Sequence, residues 1–273
     1  MRESVQKTIG LKREIAVIVG STASSPYLWR KMGMALSETH DVMVPNLWNV
    51  QFEPRWRGGS RFSLMDDALI LKSQLDEDAG PVHLIGHSYG GAVALRFARE
   101  WPERVASLTL FEPAMFGVLR FLQDNGGNLF KEVYNVARMA TTAAARSEQK
   151  SDVRHVVNFW HGGDAWSTMT DAEKEGVFLT VPKMGLEFLA TLWEEPAHAD
   201  YAALDIPTLI FRGADASIPM QRVAYRLSRV MPQATLCTFA GAGHMLPITH
   251  AEQALPLVIN HIRNKRHARR IAA

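Results

Sequence analysis

The chain is poor in several things, and each shortage narrows what it does. It has one cysteine, Cys237, in 273 residues, so an intrachain disulfide is impossible and a reducing compartment is expected. Cys237 sits inside an apolar run and reads as a small core residue. No apolar stretch is long enough to span a bilayer, and the N-terminus has no secretory apolar segment, so a cytoplasmic location is the expectation. Lys and Arg number 30 against 28 Asp and Glu, and this near balance argues against nucleic acid or an acidic polymer as the main partner. The chain contains no GxxxxGK, which argues against a nucleotide phosphate loop. His161-Gly162-Gly163-Asp164 has no helical i,i+4 spacing and no third ligand, so no metal site is expected there or elsewhere. No cofactor is expected either.

What is present is a soluble, globular composition: 47% hydrophobic and 21% charged. Its length suffices for one domain, or one domain with an insertion. Short β-branched and apolar runs alternate with helical patterns over the first 112 residues. Strands are expected at 14–19, 41–44, 81–86 and 105–111, and helices at 27–36, 63–78 and 90–100. That alternation implies right-handed crossovers and a parallel sheet. Residues 113–200 break it and read as consecutive helices: 129–146, 152–160, one opened by the capping box Thr170-Asp171-Ala172-Glu173, and a further one starting at Pro182. Strands resume at 206–211 and 235–240.

The most informative motif is Gly86-His87-Ser88-Tyr89-Gly90, set between the apolar run Pro81–Ile85 and a helix of small residues. A GxSxG placed there makes a tight turn that lifts the serine hydroxyl into a cleft. A bare GxSxG arises by chance roughly 0.07 times in such a chain, so its context matters. Two later segments supply partners. Arg212-Gly213-Ala214-Asp215 ends one strand, placing Asp215 at the sheet's C-terminal edge, where ligands gather in open parallel sheets. Gly241-Ala242-Gly243-His244 follows the next strand. A histidine within reach of the serine takes its proton, and a carboxylate on the other ring nitrogen fixes the tautomer. Glu112, at the end of strand 105–111, is the alternative acid.

With these segments the chain resembles the α/β-hydrolase superfamily from about Ile15 to Ile262. The resemblance rests on Val17–Ser21, the Gly86–Gly91 elbow, Arg212–Asp215 with Pro219, and Gly241–Met245. It implies a mostly parallel central sheet flanked by helices, with a helical cap inserted between the family's sixth and seventh strands. On that reading 1–112 and 201–273 form the core and 113–200 the cap. The N-terminal edge of the sheet is expected to be truncated, with Val5–Ile9 able to add one strand at most. The implied triad is Ser88, His244 and Asp215. The implied oxyanion donors are the backbone N–H of Tyr89 and one from Gly20 or Ser21, although Val19-Gly20 replaces the family's usual His-Gly.

The activity this implies is cofactor-independent hydrolysis of an ester or related acyl compound. Alternatives are C–C, lactone or amide hydrolysis or perhydrolysis on the same triad, or a catalytically degenerate fold that binds a ligand. The expected partner is a small molecule with an apolar portion, since the 113–200 segment is rich in aromatics and two or three are expected to face the cleft. The oligomeric state stays open, with a homodimer as one outcome. Residues 45–60 read as a lengthened, aromatic loop, and the basic run 263–270 as a solvated helix end.

Overall fold

The computed structural model describes residues 13–21, 26–47, 62–122, 125–145, 150–161, 163–194 and 198–271. The first half alternates β1 (Ile15–Val19), α1 (Arg30–Ser37), β2 (Asp41–Met43), α2 (Leu64–Gln74), β3 (Val82–His87), α3 (Tyr89–Glu100) and β4 (Val105–Phe111). Helices α4 (Gly126–Ala145), α5 (Lys150–His161), α6 (Ala165–Thr168), α7 (Asp171–Trp193) and α8 (His198–Ala202) follow without an intervening strand. The chain then returns through β5 (Thr208–Gly213), α9 (Ile218–Val230), β6 (Ala234–Phe239), α10 (Leu246–Thr249) and α11 (Ala251–Ile271).

The six strands are all parallel, in the order β2-β1-β3-β4-β5-β6. From β1 the chain steps out to β2, then crosses back to β3 on the other side of β1. That reversal opens a crevice at the C-terminal ends of β1 and β3. Successive side chains on a strand alternate faces, and the core divides accordingly. Val17, Val19, Leu84, Leu110 and Ile210 face α2, α3 and the inserted helices. Ala16, Ile18, Ile85, Phe111 and Phe211 face α1 and α11. Helices cover both faces, so β3 is buried along its whole length, its two histidines included.

One sequence expectation changes. Pro182 does not begin a new helix: α7 runs through it from Asp171 to Trp193, opened by Thr170, whose side chain accepts from the Glu173 N–H. The proline removes one helical hydrogen bond. Burial of this helix against α4 outweighs that loss; a Cβ on Gly185 would lie 2.9 Å from the Thr141 backbone nitrogen, so the two helices touch backbone to backbone. The basic run 263–270 continues α11 as helix. The N-terminal edge expectation, including Val5–Ile9, and most of the aromatic loop 45–60 lie outside the described residues. No helix among the described residues is long and apolar enough to cross a membrane.

Candidate active site

Ser88 lies between β3 and α3 with φ +54° and ψ −122°. Such a conformation costs on the order of 1–3 kcal/mol and persists only where its surroundings enforce it. Here they do. The Ser88 N–H donates to the Phe111 carbonyl, and its own carbonyl accepts from the Gly91, Ala92 and Ala114 N–H groups. Glycine is required on both sides: a Cβ on Gly86 would lie 2.6 Å from the Gly91 Cα, and one on Gly90 would lie 2.1 Å from the Val19 carbonyl oxygen. The turn therefore presses the start of α3 against the end of β1.

His244 comes from the loop after β6. Its Nε2 lies 3.0 Å from Ser88 Oγ and its Nδ1 lies 2.9 Å from Glu112 Oε2. A carboxylate only accepts hydrogen bonds, so Nδ1 carries the hydrogen and Nε2 is left to accept from the Ser88 hydroxyl. Ser88, Glu112 and His244 are all buried.

The carboxylate on His244 is thus Glu112, which corrects the expectation of Asp215. Glu112 follows β4, the strand beside the serine's own, and its φ of +44° turns the side chain over the strand ends. Its Oε1 accepts the Gly213 N–H at 2.7 Å, so both oxygens are held. Asp215 is exposed and acts through its backbone, its N–H donating to the Ala242 carbonyl at 2.9 Å. The Ala214 N–H likewise donates to Phe239. The Arg212–Asp215 turn therefore clamps the histidine loop and the acid instead of supplying the acid. A Cβ on Gly213 would sit 2.1 Å from the Ala242 carbonyl oxygen, which shows how closely the two loops meet.

Of the expected oxyanion donors, Tyr89 and Ser21 line the cleft. Tyr89 opens α3, where a backbone N–H has no partner within the helix. The Gly20 carbonyl lies against Gly90, 2.6 Å from where a Cβ would be. In a trans peptide the following N–H points the opposite way, so the Ser21 N–H faces away from Gly90.

Several neighbours take places that the sequence did not show. His87 is fully buried, and its Nε2 donates to the His244 carbonyl at 2.9 Å. Burial, and next the proximity of His244, lower its pKa to about 3, against a partial upward pull from that hydrogen bond. It stays neutral and anchors the histidine loop. Trp160, near the end of α5, stacks on the His244 ring at 4.5 Å and 26°. The adjacent His161 lines the cleft, its pKa lowered by burial and then by His244, while Asp164 pairs with Arg154. The Tyr89 hydroxyl donates to buried Asp67 at 2.7 Å; burial and then the charges of Asp67 and Glu187 keep this phenol protonated. Glu187, buried on α7, faces the cleft and pairs with Lys183 at 3.5 Å. His87 and Tyr89 are the variable positions of the GxSxG turn; Trp160, His161 and Glu187 belong to no motif and meet them only where the helices after β4 contact the sheet.

The cleft opens to solvent. Phe116, Trp160 and Phe188 wall it, while Phe121, Phe178 and Trp193 are exposed elsewhere. Glu187 is the one carboxylate or cationic side chain among the described residues that line it.

Comparison with known proteins agrees with this architecture. Residues 17–251 match a family described as the alpha/beta hydrolase fold. A 2-hydroxy-6-oxononadienedioate/2-hydroxy-6-oxononatrienedioate hydrolase from a Pseudomonas species is 27% identical over 187 residues, 65% of this chain and 62% of that protein's length. Lipase LipV of Mycobacterium tuberculosis is 48% identical over 91 residues, 32% of this chain and 33% of its own. Among solved structures, the alpha/beta hydrolase MGS-M2 from a Medee basin deep-sea metagenome superposes with a TM-score of 0.72 at 14% identity, covering 94% of this chain and 91% of that one.

Proposed function

The chain belongs to the α/β-hydrolase fold family, and from that premise we propose that it is a cofactor-independent serine hydrolase opening a neutral ester, or related acyl compound, with an apolar acyl portion. The observation that carries the proposal is the continuous relay Ser88 Oγ, His244 Nε2, His244 Nδ1, Glu112 Oε2, with links of 3.0 and 2.9 Å. Ser88 Oγ attacks the carbonyl carbon as its proton passes to His244 Nε2. Glu112 stabilises the imidazolium through Nδ1–H. The developing oxyanion lies against the Tyr89 and Ser21 N–H groups. The imidazolium then protonates the departing alcohol. A water, deprotonated by the same nitrogen, attacks the acyl carbon, and Ser88 is regenerated as the acid leaves. Residues 113–200 act as a cap over a core of 1–112 and 201–273, with Trp160 shielding His244 from water. A cytoplasmic setting fits the single half-buried thiol.

The cleft's chemistry narrows the substrate. Phe116, Trp160 and Phe188 favour an apolar group. Glu187 opposes a carboxylate in the same space and favours a hydroxyl or other donor. A second reading, hydrolytic C–C cleavage on the same residues, is favoured by the Pseudomonas relative. That relative's name describes a dicarboxylate substrate, and Glu187 sets this cleft against such a dianion.

The decisive experiment is labelling with a fluorophosphonate probe. Wild type labels and Ser88→Ala does not; a folded wild type that stays unlabelled overturns the proposal. Turnover of p-nitrophenyl butyrate against a ring-cleavage dienedioate then separates the two readings, with the ester expected to be the better substrate.

A further inference from the structure

At the far end of the sheet from the cleft, three potential ligands converge from three neighbouring strands. Glu14 immediately precedes β1, His40 immediately precedes β2, and His83 is the second residue of β3. The register aligns Ile15 with Asp41 and Ala16 with His83, so all three side chains project from one face of the pleat. Glu14 Oε2 lies 3.7 Å from His83 Nε2 and 4.0 Å from His40 Nε2. The three ligand atoms fall within 4.8 Å of one another. Both imidazoles are buried, and their rings meet at 89° with centroids 5.4 Å apart.

We propose that Glu14, His40 and His83 bind one divalent transition-metal ion, with Zn²⁺ the best match. Two imidazoles and one carboxylate form a borderline donor set suited to zinc, leaving a fourth position for water. Zinc bonds of about 2.1 Å set tetrahedral ligand atoms roughly 3.4 Å apart, so capture draws the three atoms together from separations of up to 4.8 Å. Glu14, whose side chain is 40% exposed, is the most accessible of the three. The outer partners suit the same purpose. His83 Nδ1 lies 2.8 Å from Ser107 Oγ and His40 Nδ1 lies 2.9 Å from Thr39 Oγ1. With Nδ1–H donated to those hydroxyl oxygens, both Nε2 lone pairs face the carboxylate, the orientation that outer-shell partners impose on metal-bound histidines. The ion would tie β2, a three-residue edge strand, to β1 and β3. The site shares no residue with the serine relay and stands apart from the hydrolase reading.

The test uses the full chain stripped with EDTA and titrated with CoCl₂, then with ZnCl₂ as competitor. One equivalent of Co²⁺ is expected to give a visible d–d band that Zn²⁺ abolishes, and Zn²⁺ is expected to raise the melting temperature. Glu14→Gln and His40→Gln each weaken binding at least about 10-fold, and Ser107→Ala does so by about 10-fold through the orientation of His83. His244→Ala binds as wild type does. If His40→Gln fails to fold by circular dichroism, Glu14→Gln, at a half-exposed position, decides. The proposal is overturned if no band appears, if Glu14→Gln binds as tightly as wild type, or if His244→Ala abolishes binding.

Discussion

Glu112→Gln removes the charge on His244 while keeping the side chain's shape, and leaves an amide that can orient the imidazole in the wrong tautomer. Losing the charge of a triad acid costs about 10⁴ in kcat. A loss of that order is expected for Glu112→Gln, with Asp215→Asn within a few-fold of wild type, both read as kcat/KM on p-nitrophenyl butyrate. The serine and histidine positions were legible because GxSxG between strand and helix, and a histidine in a glycine loop, are local patterns. The acid was not. Glu112 and Asp215 both follow apolar strands, and the difference lies in a backbone angle at Glu112 and in the approach of Gly213, neither encoded in neighbouring residues. His87 yields a pH prediction. Its folded pKa of about 3 lies below the ordinary 6.5, so from pH 6.5 downward the unfolded chain takes up a proton that the folded chain refuses. His87 therefore makes stability fall by about 1.4 kcal/mol per pH unit between those values, with no such loss above 6.5. Urea unfolding of His87→Gln, which keeps a donor for the His244 carbonyl, should show a shallower decline between pH 6.5 and 4.

Among the elements, α3 is the most constrained. Its N-terminus touches the end of β1, and Gly90→Ala would drive a Cβ into the Val19 carbonyl. Either α3 or the Val19–Ser21 turn must move, so the serine loses its setting. Loss of fluorophosphonate labelling is expected even where circular dichroism shows a folded chain. The far end of α3 is tied to the inserted helices: Arg96 and Arg99 each donate to Glu194 at 2.6 Å, and that carboxylate is buried. Glu194→Ala removes the buried carboxylate the two guanidinium groups share, leaving Arg96 with Glu100 and Arg99 with Asp200, and should cost about 2 kcal/mol in urea unfolding, the range for hydrogen bonds to a charged group. Helix existence and order in 113–200 could be read from capping and breaking residues, Thr170 and Gly163 among them. The continuity of α7 through Pro182 could not, because it depends on packing against α4, a contact between positions some 40 residues apart.

At the scale of the molecule, the cleft belongs to neither the sheet nor the inserted helices alone. Ser88, Glu112 and His244 come from strand ends, while Trp160 and Glu187 come from α5 and α7. Substrate preference should therefore shift without loss of the chemistry when only the helices change. Glu187→Gln is expected to improve kcat/KM for a hemisuccinate p-nitrophenyl ester relative to the butyrate by about 10-fold, the removal of roughly 1.4 kcal/mol of repulsion, with little change for the butyrate itself. The parallel order and the two-sided core were visible in the alternation of mainly apolar strands with helices. The cleft's polarity was not, since it arises where distant faces meet. The placement of the acid after β4 has a consequence for tracing this protein's kin. A search pattern keyed to an aspartate after the penultimate strand would count the chain as intact through Asp215. It would go on doing so in descendants that had lost Glu112, and would discard active ones in which position 215 had drifted.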